Sequence, residues 1–200
     1  ILSQKACVLS TRGNLNNDIG VPLTLFGLDG RHKFAVIEMG ANHAGEIACL
    51  TAIARPRVAL ITLCAPAHIE GFGSVHSVAE AKAEIFSGLP ADGIAIINTD
   101  DEYAPCWREK AMAWKQLSFG LSDVADITAK EITVDQHRGS SQFVLITPQG
   151  EIAITLNLLG LHNVKNALAA AACCVAIDIP LAWINILINI YNSLKNTLFR

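Results

Sequence analysis

Two hundred residues suit one good-sized domain, or one domain with an appendage. An apolar share of 52% against 16% charged residues promises a large core and excludes a disordered chain. The formal charge of −3 leaves no basic footprint for general nucleic-acid binding, and no apolar run reaches the roughly 18 residues of a membrane span.

The opening ILSQKACVLS lacks the apolar core of a signal peptide. Six cysteines (Cys7, Cys49, Cys64, Cys106, Cys173, Cys174) fall mainly in apolar stretches with no CxxC pair. They read as reduced, buried thiols of a cytoplasmic protein rather than a disulfide or zinc framework. Because the first residue is not Met, the chain reads as a fragment or a processed piece.

Residues 1–5 read as the tail of a helix, and residues 6–10 as a short apolar strand ending at Thr11. The next stretch, TRGNLNNDIGVP, packs Asn14, Asn16, Asn17 and Asp18 into one loop. A plain turn needs one or two such residues, so this loop reads as ligand-binding. A short helix follows over 19–28, with Pro22 tolerated in its first turn. Residues 34–38 (FAVIE) form a continuous apolar run closed by a carboxylate, the pattern of a buried parallel strand. Glu38 then stands where P-loop enzymes place the acid that holds Mg²⁺, although a lone strand-end Glu is weak evidence. GANHAGEI turns into a helix with Ile47, Leu50 and Ile53 on its apolar face, stopped by Pro56.

The next strand, residues 58–63, ends in a loop with His68 and Glu70, then Gly71 and Gly73. Ligands gather at the carboxyl ends of strands in open α/β sheets, so this loop suits a phosphate or metal site. It equally suits a simple loop cap by His68, with Lys82 a solvated helix residue. Residues 74–89 read as an amphipathic helix with Val78, Ala81, Ile85 and Leu89 buried and Lys82 on one flank. A strand over 93–97 ends in Asn98-Thr99-Asp100. The alternation predicts an α/β fold with a mostly parallel, doubly wound sheet. From residue 125 three strand-like runs, with turns at 136–140 and 148–150, predict a small antiparallel patch. An Ala-rich helix over 160–180 opens on Gly160-Leu161-His162-Asn163, with Asn166 one turn on. Its start offers polar side chains and free N–H groups for an anion, or simply an N-cap by Asn163. Residues 183–200 read as a last amphipathic helix with Ile184, Leu187, Ile188, Tyr191 and Leu194 at helical spacing.

Four motifs, GNLNNDIGVPLTL, AVIEMGANHAGEI, PAHIEGFGSVHSVAEAKAEIFSGLP and GLHNVKNALAAAA, occur in the order and spacing of the Mur ligases. The chain resembles that family over about residues 1–182, and GNLNNDIGVP is most similar to its D-alanyl-D-alanine-adding type. The resemblance implies the central, P-loop-type ATP-binding domain of a three-domain bacterial enzyme of the cytoplasm. Such an enzyme joins D-alanyl-D-alanine to a UDP-N-acetylmuramoyl-tripeptide through an acyl phosphate, with ATP and Mg²⁺, in peptidoglycan precursor synthesis. By the same resemblance Glu38 and His68 are metal ligands, and Lys82 carries a carbamate that acts with His68 at the catalytic centre. A carbamate makes the lysine an anion, which suits a metal site that an ammonium would repel. His162, Asn163 and Asn166 match the motif lying against the adenine nucleotide, and Asn14, Asn16 and Asn17 the loop that meets the UDP-linked substrate.

Three departures qualify the resemblance. The family's GxxGKT loop occurs nowhere in these residues, and its place is upstream of Ile1. Leu63 stands where the family usually has Asn. After Ala182 the resemblance fades, and residues 183–200 read as a divergent tail, with the C-terminal ligase domain expected to be absent. Two readings stay open: a fragment of an ATP-dependent ligase, or a truncated, non-catalytic module that binds a nucleotide or a partner.

Overall fold

The computed structural model describes residues 1–65 and 69–184, apart from the side chains of Ile69 and Glu70. The chain divides into two compact units, one of residues 2–95 and 101–116, the other of residue 1, residues 96–100 and residues 117–200. A 3-10 turn at Leu2–Gln4 leads into β1 (Cys7–Ser10), followed by α1 (Gly20–Phe26), β2 (His32–Val36), α2 (Glu46–Ala54) and β3 (Val58–Ile61). Then come α3 (Ile69–Phe72), α4 (Val75–Ala83), a 3-10 stretch at Glu84–Gly88, β4 (Ile94–Asn98), α5 (Ala104–Lys110) and β5 (Lys115–Phe119). β1 and β2 run parallel, and β3, β4 and β5 share a sheet in that order. The expected α/β alternation is present, with α3, α5 and β5 added to it.

In the first unit the apolar run at 34–38 does not make the buried strand its composition suggested. β2 starts two residues earlier and ends at Val36, which is 53% exposed. Burial on both faces requires a covering layer on each, and among the described residues β2 shares its sheet with β1 alone. The ladder closes where Thr11 N–H donates to the Val36 carbonyl, 3.1 Å away. The chain then bends so that Glu38 N–H meets Thr11 Oγ1 at 2.9 Å. One core cluster of this unit packs Val21, Ile47 and Leu50, with Leu25, Ile37, Met39, Ala41 and Ile85 against them.

Local chemistry sets the ends of the helices. α2 begins after Gly45, whose φ of 88° is cheap only for glycine, and ends at a left-handed Arg55 just before Pro56. Its buried face is narrower than expected: Ile53 is exposed and Thr51 takes the buried place, its hydroxyl donating to the Ile85 carbonyl at 3.0 Å. Ser74 caps α4 by accepting the Ser77 N–H. The helix read over 74–89 is α-helical only to Ala83, then tightens into the 3-10 stretch. Trp107 of α5 is fully buried and donates its indole N–H to the Ala79 carbonyl at 3.0 Å.

The second unit contains the expected antiparallel patch, with β6 (Thr128–Asp135), β7 (Ser140–Thr147) and β8 (Gly150–Leu156) in that order. α6 (Leu161–Ala176) buries Val164, Ala167, Leu168, Ala171 and Ala172. The helix read over 183–200 lies outside the described residues from 185 onward; residues 181–184 are helical. Among the described residues no helix is long and apolar enough to cross a membrane.

All six cysteines are free, as expected, but they are not all buried: Cys174 is, whereas Cys7 and Cys49 are exposed. The run around Cys7 is apolar, yet β1 belongs to the thinly covered two-stranded sheet. Burial pushes the Cys174 thiol up to about 11, which starves it of thiolate near neutral pH. Alkylation of the native chain at pH 7.5, read by mass spectrometry, therefore labels Cys7 and Cys49 well before Cys174. Equal labelling of all three would contradict this placement.

Candidate functional site

The asparagine-rich loop, read as a ligand site, spends much of its polarity on the fold. Asn17 Oδ1 accepts the Gly20 N–H at 2.8 Å and so starts α1. Asn16 Nδ2 donates to Glu38 Oε1 at 2.9 Å, and its carbonyl accepts the Gly40 N–H at 2.8 Å. Asn14 is exposed, and its side chain bonds no described residue. The loop after β1 is thus stitched to the end of β2, and Glu38 is oriented by Asn16. A Cβ on Gly40 would come within 3.1 Å of that amide, so glycine keeps the two loops in contact.

Glu38 itself is exposed, with one oxygen held by Asn16 and the other open among the described residues. Farther along the same loop, Glu46 accepts the Asn42 N–H at 2.7 Å and faces His43 Nδ1 at 3.0 Å. The Asn42 N–H, then the His43 contact, hold the Glu46 carboxyl below its usual range. Glu84 reaches the same loop, its oxygens 2.7 Å from Gly45 N and 3.1 Å from Ala48 N. Neither contact was visible in the sequence, where Glu84 is one charge of an amphipathic helix.

Lys82 lies in the last turn of α4, half-buried between buried Ala81 and Ala83, and forms no ion pair with a described residue. It is less solvated than an ordinary helix lysine. Burial, then the Asp101 carboxylate, raise the Cys64 thiol, and the Lys82 ammonium acts against them. The lysine head therefore lies within electrostatic reach of the loop leaving β3. His68, the other expected ligand of that loop, lies outside the described residues.

Magnesium takes one or two carboxylates plus waters and substrate phosphates, rather than an all-protein cage. Among the described residues no three His, Cys, Asp or Glu gather for a metal, and Glu38 offers a single open carboxylate. A carboxylate oxygen is a hard donor of the kind magnesium takes, and a lysine ammonium is not a ligand for it.

The second unit presents the start of α6. Gly160, at φ 95°, precedes the helix and no side chain caps it, so the alternative of an N-cap by Asn163 is set aside. Asn163 sits inside the first turn, donating from Nδ2 to the Leu159 carbonyl at 2.8 Å and lying 3.0 Å from His162 Nε2. His162 and Asn166 are exposed, and Asn163 is half-buried. Lys165, which sequence reasoning passed over, lies 2.8 Å from Asp100 at the end of β4. Asp100 also accepts the N–H groups of Leu121 at 2.9 Å and Ser122 at 3.3 Å. A Cβ on Gly120 would overlap the Thr99 hydroxyl, so only glycine lets that backbone approach.

With this frame in place, the chain belongs to the Mur ligase family: the model described as "Mur ligase middle domain" matches residues 1–174. Within the family it is similar to the UDP-N-acetylmuramoyl-tripeptide–D-alanyl-D-alanine ligase of Escherichia coli, 48% identical over 182 residues, covering 90% of this chain and 40% of that protein. A crystal structure of MurF from Acinetobacter baumannii superposes with a TM-score of 0.89 at 40% identity, covering 94% of this chain and 40% of that one. The MurF ligase of Thermotoga maritima, in complex with ADP, gives 0.76 at 26% identity over 88% of this chain and 40% of that one. The chain spans about two fifths of the length of the curated relatives it matches.

Proposed function

We propose that the chain serves as the nucleotide-binding middle domain of a ligase that adds D-alanyl-D-alanine to a UDP-N-acetylmuramoyl-tripeptide. The observation that carries this reading is the 48% identity to such a ligase over nearly the whole chain. The ADP in the Thermotoga maritima relative supports an adenine nucleotide as the ligand. Amide formation from a free carboxylate needs an activated acyl group. ATP's γ-phosphoryl goes to the peptide carboxylate, giving ADP and an acyl phosphate. The dipeptide's amine then attacks the acyl carbon, loses a proton and expels phosphate. Positioning and charge neutralisation dominate such transfers.

Each residue group has a part in that chemistry. Glu38, aimed by Asn16, would hold Mg²⁺ together with His68 and carbamylated Lys82; the ion supplies charge neutralisation at the transferred phosphoryl group. The N–H groups at the start of α6, with His162, Asn163 and Asn166, receive the adenine nucleotide. Exposed Asn14 is free to meet the UDP-linked substrate, while Asn16 and Asn17 keep its loop in shape. An enzyme using ATP and a nucleotide-linked precursor works in the cytoplasm.

A second reading, a binding module without turnover, stays open beside it; these 200 residues hold no Gly-x-x-Gly-Lys-Ser/Thr to cradle a triphosphate. The 200-residue chain by itself should therefore bind MgADP with a Kd on the order of millimolar. Calorimetry giving a low-micromolar value would show that these residues hold the nucleotide unaided. Turnover decides between the readings. The product of the complete reading frame should form the amide and release ADP only with both substrates present, and no turnover favours the module.

A further inference from the structure

α2 begins without a side-chain cap of its own. Its N-cap residue is Gly45, which has no oxygen to offer the N–H groups of the first turn. Two of those donors are met from 36 to 39 residues away: Glu84 accepts the Gly45 N–H with one oxygen and the Ala48 N–H with the other. With φ at 88°, position 45 suits glycine rather than a capping Ser, Asp or Asn, so the Ala48 donor has to be met from elsewhere. The distant carboxylate adds something a local cap cannot, a tie between two segments.

The two segments are those that carry the proposed metal ligands. Glu84 follows Lys82 by two residues, at the junction where α4 tightens into the 3-10 stretch. Gly45 closes the loop that leaves Glu38, whose shape also depends on Asn16 and Gly40. Farther along the same seam the Thr51 hydroxyl donates to the Ile85 carbonyl, and a Cβ on Gly88 would overlap that hydroxyl. The seam is tight along its length, and its Glu84 end, two positions after Lys82, bonds the residue that closes the loop leaving Glu38.

We infer that Glu84 is a positioning residue, holding the loop that follows Glu38 to the helix that carries Lys82 and so fixing the spacing of the metal site. This rests on the proposed reading of Glu38 and Lys82 as ligands. Being charge-assisted, the two bonds are stronger than neutral ones. An amide in place of the carboxylate keeps one acceptor and turns an N–H₂ group toward a backbone donor.

The test uses the full ligase. In Glu84→Gln the amides of Gly45 and Ala48 should exchange hydrogen about tenfold faster. The Mg²⁺ concentration for half-maximal ligation should rise by about fivefold, with the KM for D-alanyl-D-alanine unchanged. Thr51→Val removes the neighbouring bond of the seam; it should lower the melting temperature and leave the Mg²⁺ dependence alone. Should Glu84→Gln loosen the amides without moving the Mg²⁺ dependence, Glu84 is a helix cap and the inference falls. Unchanged exchange overturns it as well. Lys82→Ala separates the layers: if that variant ligates normally, the reading of the metal site fails and takes the inference with it. If it does not, the result for Glu84 stands by itself.

Discussion

On the proposed function, Lys82→Ala in the full-length protein should lower ligation turnover by about a hundredfold or more, the scale of losing one preorganised charge contact at a transition state. The melting temperature should stay within about 2 °C, because a half-buried lysine without an ion partner among the described residues contributes little packing. An ammonium placed near Mg²⁺ repels it, whereas a carbamate attracts it. Lys82→Arg sharpens the test: arginine keeps the cation but does not form the carbamate, so it should lose as much activity as alanine. A small carboxylate added to Lys82→Ala should restore part of the rate by standing in for the lost anion. Near-normal turnover of Lys82→Ala at saturating Mg²⁺ would make this an ordinary helix lysine and end the carbamate assignment.

What the sequence announced, and what it hid, follows from the range of the forces involved. The order of strands and helices was legible because hydrophobic period is local, and so were the turns at 136–140 and 148–150. Glu38 was legible as the charge ending an apolar run. The end of β2 was not, because pairing with β1 and the bond from Thr11 to Val36 decide it. α5 and β5 were missed because residues 101–119 mix charge and apolar character without a clean period. Their organising residue, Trp107, is buried by an indole bond to a carbonyl 28 positions away. Asn17, read as a ligand residue, also accepts the Gly20 N–H at the start of α1, a bond the sequence did not single out because asparagine serves ligands and backbone with the same atoms. Glu84 and Lys165 are the harder cases. Each reads as a solvated helix charge, and only its distant partner, Gly45 or Asp100, gives it a role.

The Asp100–Lys165 pair supplies the second large effect, on stability rather than rate. The Asp100 side chain is 13% exposed, so its charge needs partners, and it finds Lys165 and the N–H groups of Leu121 and Ser122. Burial pushes its carboxyl up, but the Lys165 ammonium and these N–H donors outweigh that and hold it below its ordinary value of 3.8. Asp100→Asn keeps the shape and removes the charge, so it should cost about 2 kcal/mol, roughly 4–8 °C in Tm at pH 7. Lys165→Ala should cost less, about 0.5–1 kcal/mol, because its ammonium is 37% exposed and water screens it. The pH dependence has a definite sign. With the folded carboxyl more acidic than the unfolded one, the unfolded chain takes up the proton first as pH falls. The stabilisation is therefore complete well above 3.8 and is lost as pH drops through the lower, folded value. Urea unfolding of wild type and Asp100→Asn across pH 7 to 2.5 should show curves that converge below about pH 4. Parallel curves over that range would mean that the Asp100 charge does not secure the start of α6 to the end of β4.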